Sequence, residues 1–154
     1  MAANTNRLPT AERAEKPRSS RFLLWALAII ALFGLADATY LTVAHLTGDD
    51  AVCGSAIGCS QVLGSTYASF RGIPTAAFGV VAYFTVFSLA ILAVFGYAKM
   101  RGLLTIVVGV MLVASLYFLY LQAFVLHAFC PFCLFSAAIT FLMAGLLLAF
   151  PARR

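Results

Sequence analysis

The chain has 154 residues, of which 64% are hydrophobic and 10% are charged, and its mean hydropathy is +1.02. A soluble domain carries about 25% charged residues, and a disordered chain needs low hydrophobicity, so the composition excludes both classes. It indicates instead an integral membrane protein, with a net charge of +5.

Four apolar runs predict four membrane-spanning helices. Runs of about 17–25 apolar residues are long enough to cross the hydrocarbon core of a bilayer. The predicted spans are 22–46, 75–97, 103–126 and 133–150. Helices are favoured over strands, because a helix satisfies its own backbone hydrogen bonds in lipid. We therefore predict an all-α protein, a four-transmembrane-helix bundle over 22–150.

The termini and the first connection differ in character from the spans. Residues 1–21 are polar and are expected to form a disordered tail, and 151–154 form a short second tail. The connection at 47–74 is long, and it contains enough apolar side chains to fold onto the helix ends. Long connections in compact proteins are usually functional. We expect one short helix near 60–70, ended by Gly72 and Pro74.

The Lys and Arg residues lie almost entirely on one side of the predicted membrane. Nine of the ten are Arg7, Arg13, Lys16, Arg18, Arg21, Lys99, Arg101, Arg153 and Arg154, and Arg71 is the exception. By the positive-inside rule, both termini are cytoplasmic and the long loop lies outside. The basic charge is then a topology signal and a contact for anionic membrane lipids, and we predict no nucleic-acid binding.

The first apolar run has a second interpretation. Basic residues, an apolar stretch and the small residues at 36–38 also fit a cleavable signal peptide. The apolar run continues past that site through Tyr40, Leu41 and Val43, so a membrane span is the favoured interpretation.

The last cysteine pair forms a Cys130-Pro131-Phe132-Cys133 motif at the start of the fourth span. Pro131 suits the first position of a helix, which makes Cys130 the N-cap and places both thiols at the helix N-terminus. The helix dipole and the free N–H groups stabilise a thiolate there. A disulfide that closes so short a loop is a poor staple, so we expect this pair to cycle between thiol and disulfide.

Cys53 and Cys59 lie in the long loop, on the same predicted side as the second pair. That side is oxidising in bacteria, so disulfides persist there. The loop pair is either a structural staple or the first half of a relay to the second pair. A four-cysteine zinc site is a third interpretation, but the spacing in the loop exceeds the usual ligand spacing, and we predict no metal.

The order of these motifs resembles the vitamin K epoxide reductase family, and its bacterial branch in particular. The resemblance covers about 22–150 and is carried by Cys53, Cys59-Ser60-Gln61-Val62, Ser65, Gly72-Ile73-Pro74, Phe78-Gly79 and Cys130-Pro131-Phe132-Cys133-Leu134. It implies a four-helix bundle around a quinone, of ubiquinone or menaquinone type, in the bacterial inner membrane. It also implies a thioredoxin-like (DsbA-like) redox partner, which we expect to be a separate protein because the chain ends at Arg154.

The resemblance implies a stepwise thiol–disulfide relay. Cys53 forms the mixed disulfide with the partner, released Cys59 attacks Cys130, and freed Cys133 reduces the quinone. The DsbB type of quinone-linked oxidase has its CxxC motif in the first outer loop, and the reversed order here argues against it. Two alternatives remain open: reduction of a quinone or of vitamin K epoxide as the purpose of the reaction, and a non-catalytic membrane scaffold with structural disulfides.

Four further residues are weaker candidates. Asp37 is the one acid inside a predicted span, and it is either a proton-transfer group or a carboxylate that reaches the outer interface. Ser65 matches the family serine after the loop cysteines and is a candidate quinone contact, or an ordinary turn hydroxyl. Phe129 and Phe132 are candidates for lining a quinone pocket, although aromatic belts at membrane interfaces are common.

Overall fold

The computed structural model describes residues 18–47 and 57–149 of the chain. In chain order, its elements are α1 (Arg18–Thr47), α2 (Ile57–Leu63), a 3₁₀ turn (Thr66–Ala68), the strands β1 (Ser69–Phe70) and β2 (Ile73–Pro74), α3 (Thr75–Val94), α4 (Ala98–Tyr120), a π-helical segment (Leu121–Val125) and α5 (Pro131–Ala149). Within the described residues, four helices are long and apolar enough to span a membrane: Arg21–Thr47, Thr75–Val94, Lys99–Val125 and Pro131–Ala149. The predicted all-α, four-helix membrane fold is confirmed.

Several sequence predictions fall on residues that are not described. These are the disordered tail over most of its length, the C-terminal tail at 151–154, and Cys53 with its neighbours in the long loop. At the N-terminus, α1 begins at Arg18, inside the predicted tail, because the polar residues at 18–21 extend the helix beyond its apolar part.

The four long helices form a closed bundle. α1 packs against α3 and α5, and α4 packs against the same two helices. Small residues allow α1 and α3 to approach closely: a Cβ atom added to Gly79 would lie 3.3 Å from the Cβ of Ala38. In lipid, this close van der Waals packing between small residues is a main source of helix association.

The core fills the half of the bundle that contains the start of α1 and the end of α3. Its buried residues include Leu24, Leu27, Ala28, Ala31, Val86, Ala90, Ala93, Leu104, Val108 and Met143. Because consecutive long helices run in opposite directions, these positions come together at one end of the bundle. The other end contains the cysteines and is less tightly filled.

The described part of the long loop, 57–74, folds over this second end of the bundle. α2 ends where the Gly64 N–H donates to the carbonyl oxygen of Ser60 at 2.8 Å. The helix predicted near 60–70 is therefore shorter than expected, and the chain continues as the 3₁₀ turn and a hairpin. Arg71 and Gly72 have φ values of 53° and 83° between the paired strands, as a type I′ turn requires.

Candidate functional site

A cavity of about 390 Å³ lies inside the bundle, toward the end that contains the cysteines. α3, α4 and α5 form its walls, with Leu41 of α1, and α2 and the 3₁₀ turn border one end. Most of the lining is apolar, and the polar lining residues are Ser65, Tyr67, Thr75, Tyr83, Ser115, Gln122, Cys133, Ser136 and Thr140. An apolar cavity of this size with a few polar groups is typical of small-molecule sites, which occupy about 300–1,000 Å³.

The CxxC motif lies between this cavity and the buried side of α2. α5 begins at Pro131, so Cys130 precedes its first residue and Cys133 lies in its first turn, as predicted. Both are free thiols; Cys130 is fully buried, whereas Cys133 is half-buried and lines the cavity. The two sulfurs of the motif therefore face different surroundings.

The N-terminus of α5 favours a thiolate at Cys130. The hydrogen bond from the Cys133 thiol, assisted by the backbone N–H groups of Cys133 and Phe132, lowers the pKa of Cys130 from 9.0 to about 7. Burial and the charge of Asp37 oppose this shift and are outweighed. A thiol with a pKa near neutrality is well suited to disulfide exchange, because thiolate fraction and nucleophilicity are then balanced.

Cys59 and Cys130 form one buried cluster. Both are 0% exposed, and Val62, Leu63, Phe132 and Cys133 pack against them. Cys59 is disulfide-bonded, whereas Cys130 and Cys133 are free thiols. The structure thus brings together three of the four predicted redox cysteines.

A close backbone contact holds α2 against the loop that precedes the CxxC motif. A Cβ atom on Gly58 would lie 2.5 Å from the carbonyl oxygen of Phe129. Only glycine fits this approach, and Cys59 is the next residue along α2. The contact therefore fixes the position of Cys59 relative to Cys130.

Gln122 is a site residue that the sequence interpretation did not identify. It is 1% exposed, lies in the π-helical segment and lines the cavity. Its Oε1 accepts a hydrogen bond from the Cys130 N–H at 2.9 Å, and its backbone oxygen accepts one from the Ala128 N–H at 3.1 Å. The signal available in the sequence was an amide side chain inside an apolar span, eight positions before the first cysteine of the motif.

Tyr83 is a second residue that the sequence did not reveal. It is 2% exposed and lines the cavity, and its hydroxyl donates to the carbonyl oxygen of Ser136 at 2.9 Å. The same hydroxyl lies 2.8 Å from Ser136 Oγ and 3.2 Å from Thr140 Oγ1. These bonds tie α3 to α5 one turn beyond Cys133. A tyrosine in an apolar span carries no sequence signal that separates this role from membrane anchoring.

The three weaker contact candidates lie in different places. Ser65 lines the cavity, and its Oγ donates to the carbonyl oxygen of Val62 at 2.7 Å. Phe129 is 55% exposed, and Phe132 packs on the Cys59–Cys130 cluster and on the Tyr40 ring, 5.5 Å between centroids. Neither phenylalanine is among the residues that line the cavity, so their contact with a quinone stays a prediction.

Asp37 faces the site from α1. One turn before Asp37, Gly34 lies against the Tyr83 ring, with which an added Cβ would collide. One turn after Asp37, the ring of Tyr40 contacts the ring of Phe132 in the CxxC motif. Asp37 thus lies between Tyr83 and the CxxC motif. Its Oδ2 is buried and has no hydrogen-bond partner among the described residues.

The fold and the site together define a class of membrane protein: a four-helix bundle with a CxxC pair between a buried second cysteine and an apolar cavity. The sequence profile of the vitamin K epoxide reductase family matches residues 25–148, and the chain belongs to this family. The resemblance found in the motifs is confirmed.

A plant relative supports the same class. The chain is 36% identical over 114 residues to thiol-disulfide oxidoreductase LTO1 of Arabidopsis thaliana. The match covers 68% of this chain and 30% of that protein. The chain thus corresponds to less than a third of the plant protein, which is described by its name as acting on thiols and disulfides.

Proposed function

We propose that this protein oxidises a thioredoxin-like partner and passes the electrons through its two cysteine pairs to a membrane quinone. One observation carries the proposal: Cys130 is buried against Cys59, whereas Cys133, in the same motif, lines an apolar cavity. A relay needs this arrangement, because one sulfur must exchange with the loop and the other must face the final acceptor.

The exchange begins at the loop disulfide, for which we propose Cys53 as the partner of Cys59. A thiolate of the reduced partner attacks Cys53, and a second partner thiol then resolves the mixed disulfide. The partner leaves with one disulfide, and Cys53 and Cys59 remain as thiols. Two electrons and two protons have entered the chain.

The second exchange moves the electrons to the CxxC motif. The Cys59 thiolate attacks Cys130 in a Cys130–Cys133 disulfide, and Cys133 is released at the cavity. Cys53 then attacks Cys59, which restores the loop disulfide and leaves Cys130 and Cys133 reduced. Their disulfide reforms when two electrons and two protons leave the motif. Both exchanges between the cysteine pairs replace one sulfur–sulfur bond with another, so the loop disulfide is recovered without an outside oxidant, and only the CxxC disulfide requires the final acceptor to re-form.

The cavity fits a quinone. Its apolar walls suit a ring with an isoprenoid tail, its polar groups are few, and a thiol forms part of its wall. A quinone bound there supplies a two-electron, two-proton acceptor. Leu41, Phe118 and Leu119 are among the residues that would enclose the ring, with Ser65 at the end near the loop. Both ubiquinone and menaquinone types are consistent with this lining.

We propose that Asp37 takes part in proton transfer at this site. Its carboxylate has an unpartnered buried oxygen among the described residues, and it lies between Tyr83 and the CxxC motif. Ionisable residues inside membrane spans cost free energy and usually mark functional sites, and reduction of a quinone requires protons in an otherwise apolar region.

The charge pattern supports the proposed orientation in a bacterial inner membrane. With nine of ten basic residues at the termini and the 98–102 connection, both termini would be cytoplasmic and the cysteines would face the outer side. The redox partner would then be a separate DsbA-like protein on the oxidising side of the membrane.

A coupled assay tests the proposal. Purified protein in lipid nanodiscs is mixed with a reduced DsbA-like protein and a short-chain ubiquinone, and quinone absorbance and partner thiols are followed together. We expect one quinone consumed for each partner disulfide, and loss of both signals in Cys59→Ser and Cys133→Ser. Quinone loss that persists in Cys133→Ser would contradict the relay. Consumption of vitamin K epoxide in preference to the quinone would favour epoxide reduction as the purpose.

A further inference from the structure

In the described part of the chain, two non-aromatic polar side chains are buried, those of Gln122 and Thr140. Burying an amide in an apolar environment costs free energy unless its donors and its acceptor are used. Gln122 is 1% exposed and lies near the end of a membrane span. Its oxygen and its N–H₂ group therefore each need a hydrogen-bond partner.

The acceptor of Gln122 is used by the protein, and its donor group is not. Oε1 accepts the hydrogen bond from the Cys130 N–H at 2.9 Å. Within the described residues, the structure gives the Gln122 side chain one hydrogen bond, through Oε1, and Nε2 is not among the buried atoms left without a partner, so the N–H₂ group is accessible from the cavity that Gln122 lines. A buried amide that is fixed through its oxygen thus leaves its N–H₂ group to a molecule in the cavity.

The backbone around Gln122 is shaped to place this side chain. The π-helical segment inserts an extra residue into the turn, and the Leu126 N–H reaches back to the carbonyl oxygen of Leu121 at 2.8 Å. Single π-helical turns inside α-helices occur frequently at functional sites. Here the insertion turns Leu121 and Gln122 inward, and the Ala128 N–H binds the Gln122 backbone oxygen at 3.1 Å. The loop before Cys130 is therefore anchored to Gln122 twice.

We propose that Gln122 is a substrate-binding residue that donates a hydrogen bond from its side-chain N–H₂ group to a carbonyl oxygen of the quinone. Through Oε1, the same amide holds the backbone of Cys130, so one side chain sets both the acceptor ring and the CxxC motif. A donor at the carbonyl oxygen stabilises the negative charge that develops there as electrons arrive. This inference rests on the proposed quinone-linked function and adds the residue that positions the ring.

The composition of the chain makes a direct test possible, since it contains two glutamines, Gln61 and Gln122. Gln61 is exposed on α2 and serves as an internal control. Protein labelled with ¹⁵N at the glutamine side-chain amides is placed in lipid nanodiscs and titrated with a short-chain ubiquinone. We expect a saturable downfield shift of the Gln122 amide protons and no shift of Gln61. Gln61→Asn assigns the two signals.

A pair of variants gives the second readout, the quinone dissociation constant. Gln122→Met keeps the length of the side chain and removes the donor, and it should weaken quinone binding by about tenfold, which corresponds to about 1.4 kcal/mol. Gln61→Met makes the same substitution at the exposed glutamine of α2, outside the cavity lining, and should leave the dissociation constant unchanged. Gln122→His retains a donor and an acceptor and should bind quinone more tightly than Gln122→Met.

The outcomes separate this inference from the function on which it rests. Saturable quinone binding with an unmoved Gln122 signal, or equal dissociation constants for Gln122→Met and Gln61→Met, would overturn the role of Gln122 and leave the relay intact. No saturable binding to the wild-type protein, together with no quinone consumption in the coupled assay, would overturn the proposed function itself. The labelled wild-type protein decides the question even if a Gln122 variant fails to fold.

Discussion

Gly58→Ala tests whether the contact between α2 and the CxxC loop controls transfer between the two cysteine pairs. The added Cβ would lie 2.5 Å from the Phe129 carbonyl oxygen, 3.1 Å from its nitrogen and 3.2 Å from its carbonyl carbon. All three are backbone atoms, so no side-chain rotation relieves the contact. Ordinary van der Waals contact begins at 3.4 Å, so α2 and the loop must separate by about 0.9 Å.

The separation acts directly on the reacting sulfurs. Cys59 follows Gly58, and Cys130 follows Phe129, so the displaced segments carry the two sulfurs that must meet. A misplacement of about 1 Å costs about 10²-fold in rate when reacting groups must be aligned. We therefore expect Gly58→Ala to slow exchange between Cys59 and Cys130 by about 10²-fold.

A pH-jump experiment measures this exchange without a partner or a quinone. In a Cys133→Ser background, protein with the loop disulfide intact is held at low pH, where Cys130 is protonated, and is then shifted to pH 8. The Cys130 thiolate attacks Cys59, and the new Cys59–Cys130 disulfide is counted by acid quenching, proteolysis and mass spectrometry. The rate is compared with and without Gly58→Ala.

The matched control is Gly109→Ala, because an added Cβ at Gly109 has no atom within 4 Å. We expect the control to exchange at the rate of the background. Equal rates in Gly58→Ala and Gly109→Ala would show that the close approach of α2 does not align the two sulfurs.

Two further predictions concern the pKa of Cys130 and the stability of the helix bundle. The Cys133 hydrogen bond is the main cause that lowers the pKa of Cys130 to about 7. The exchange rate should therefore reach half its maximum near pH 7 in Cys133→Ser, which keeps a hydrogen-bond donor, and at a higher pH in Cys133→Ala, which does not. Coincident pH profiles of the two variants would contradict that cause. Tyr83→Phe removes the hydroxyl that donates to the Ser136 carbonyl oxygen at 2.9 Å. The free energy of unfolding in detergent should fall by about 1–3 kcal/mol. An unchanged free energy of unfolding would show that this hydrogen bond between α3 and α5 does not stabilise the bundle.

The sequence was sufficient to predict the class of fold and the position of the CxxC motif. Apolar runs of membrane length identify spanning helices with little ambiguity, because lipid leaves the backbone few alternatives. Pro131 and the flanking cysteines predicted the start of α5, which begins at that residue. These features depend on local sequence alone.

The parts of the site that the sequence did not reveal depend on contacts between distant elements. Gln122 is a functional candidate only because a π-helical turn directs it toward Cys130 and the cavity, and no local pattern predicts that turn. Gly58 is one glycine among 11, and its contact with Phe129 becomes visible only when α2 is packed on the bundle. Tyr83 likewise gains its meaning from Ser136, on another helix.

The central claim is that electrons from the loop pair reach the acceptor only through Cys130 and Cys133. Fully reduced protein, which has four thiols, is mixed with excess short-chain ubiquinone in the absence of a reduced partner, and the total quinone consumed per chain is counted by stopped-flow absorbance. We expect two quinones to be consumed per wild-type chain, one per Cys59→Ser chain and none per Cys133→Ser chain. Two quinones consumed by Cys59→Ser, or any stoichiometric consumption by Cys133→Ser, would contradict that claim.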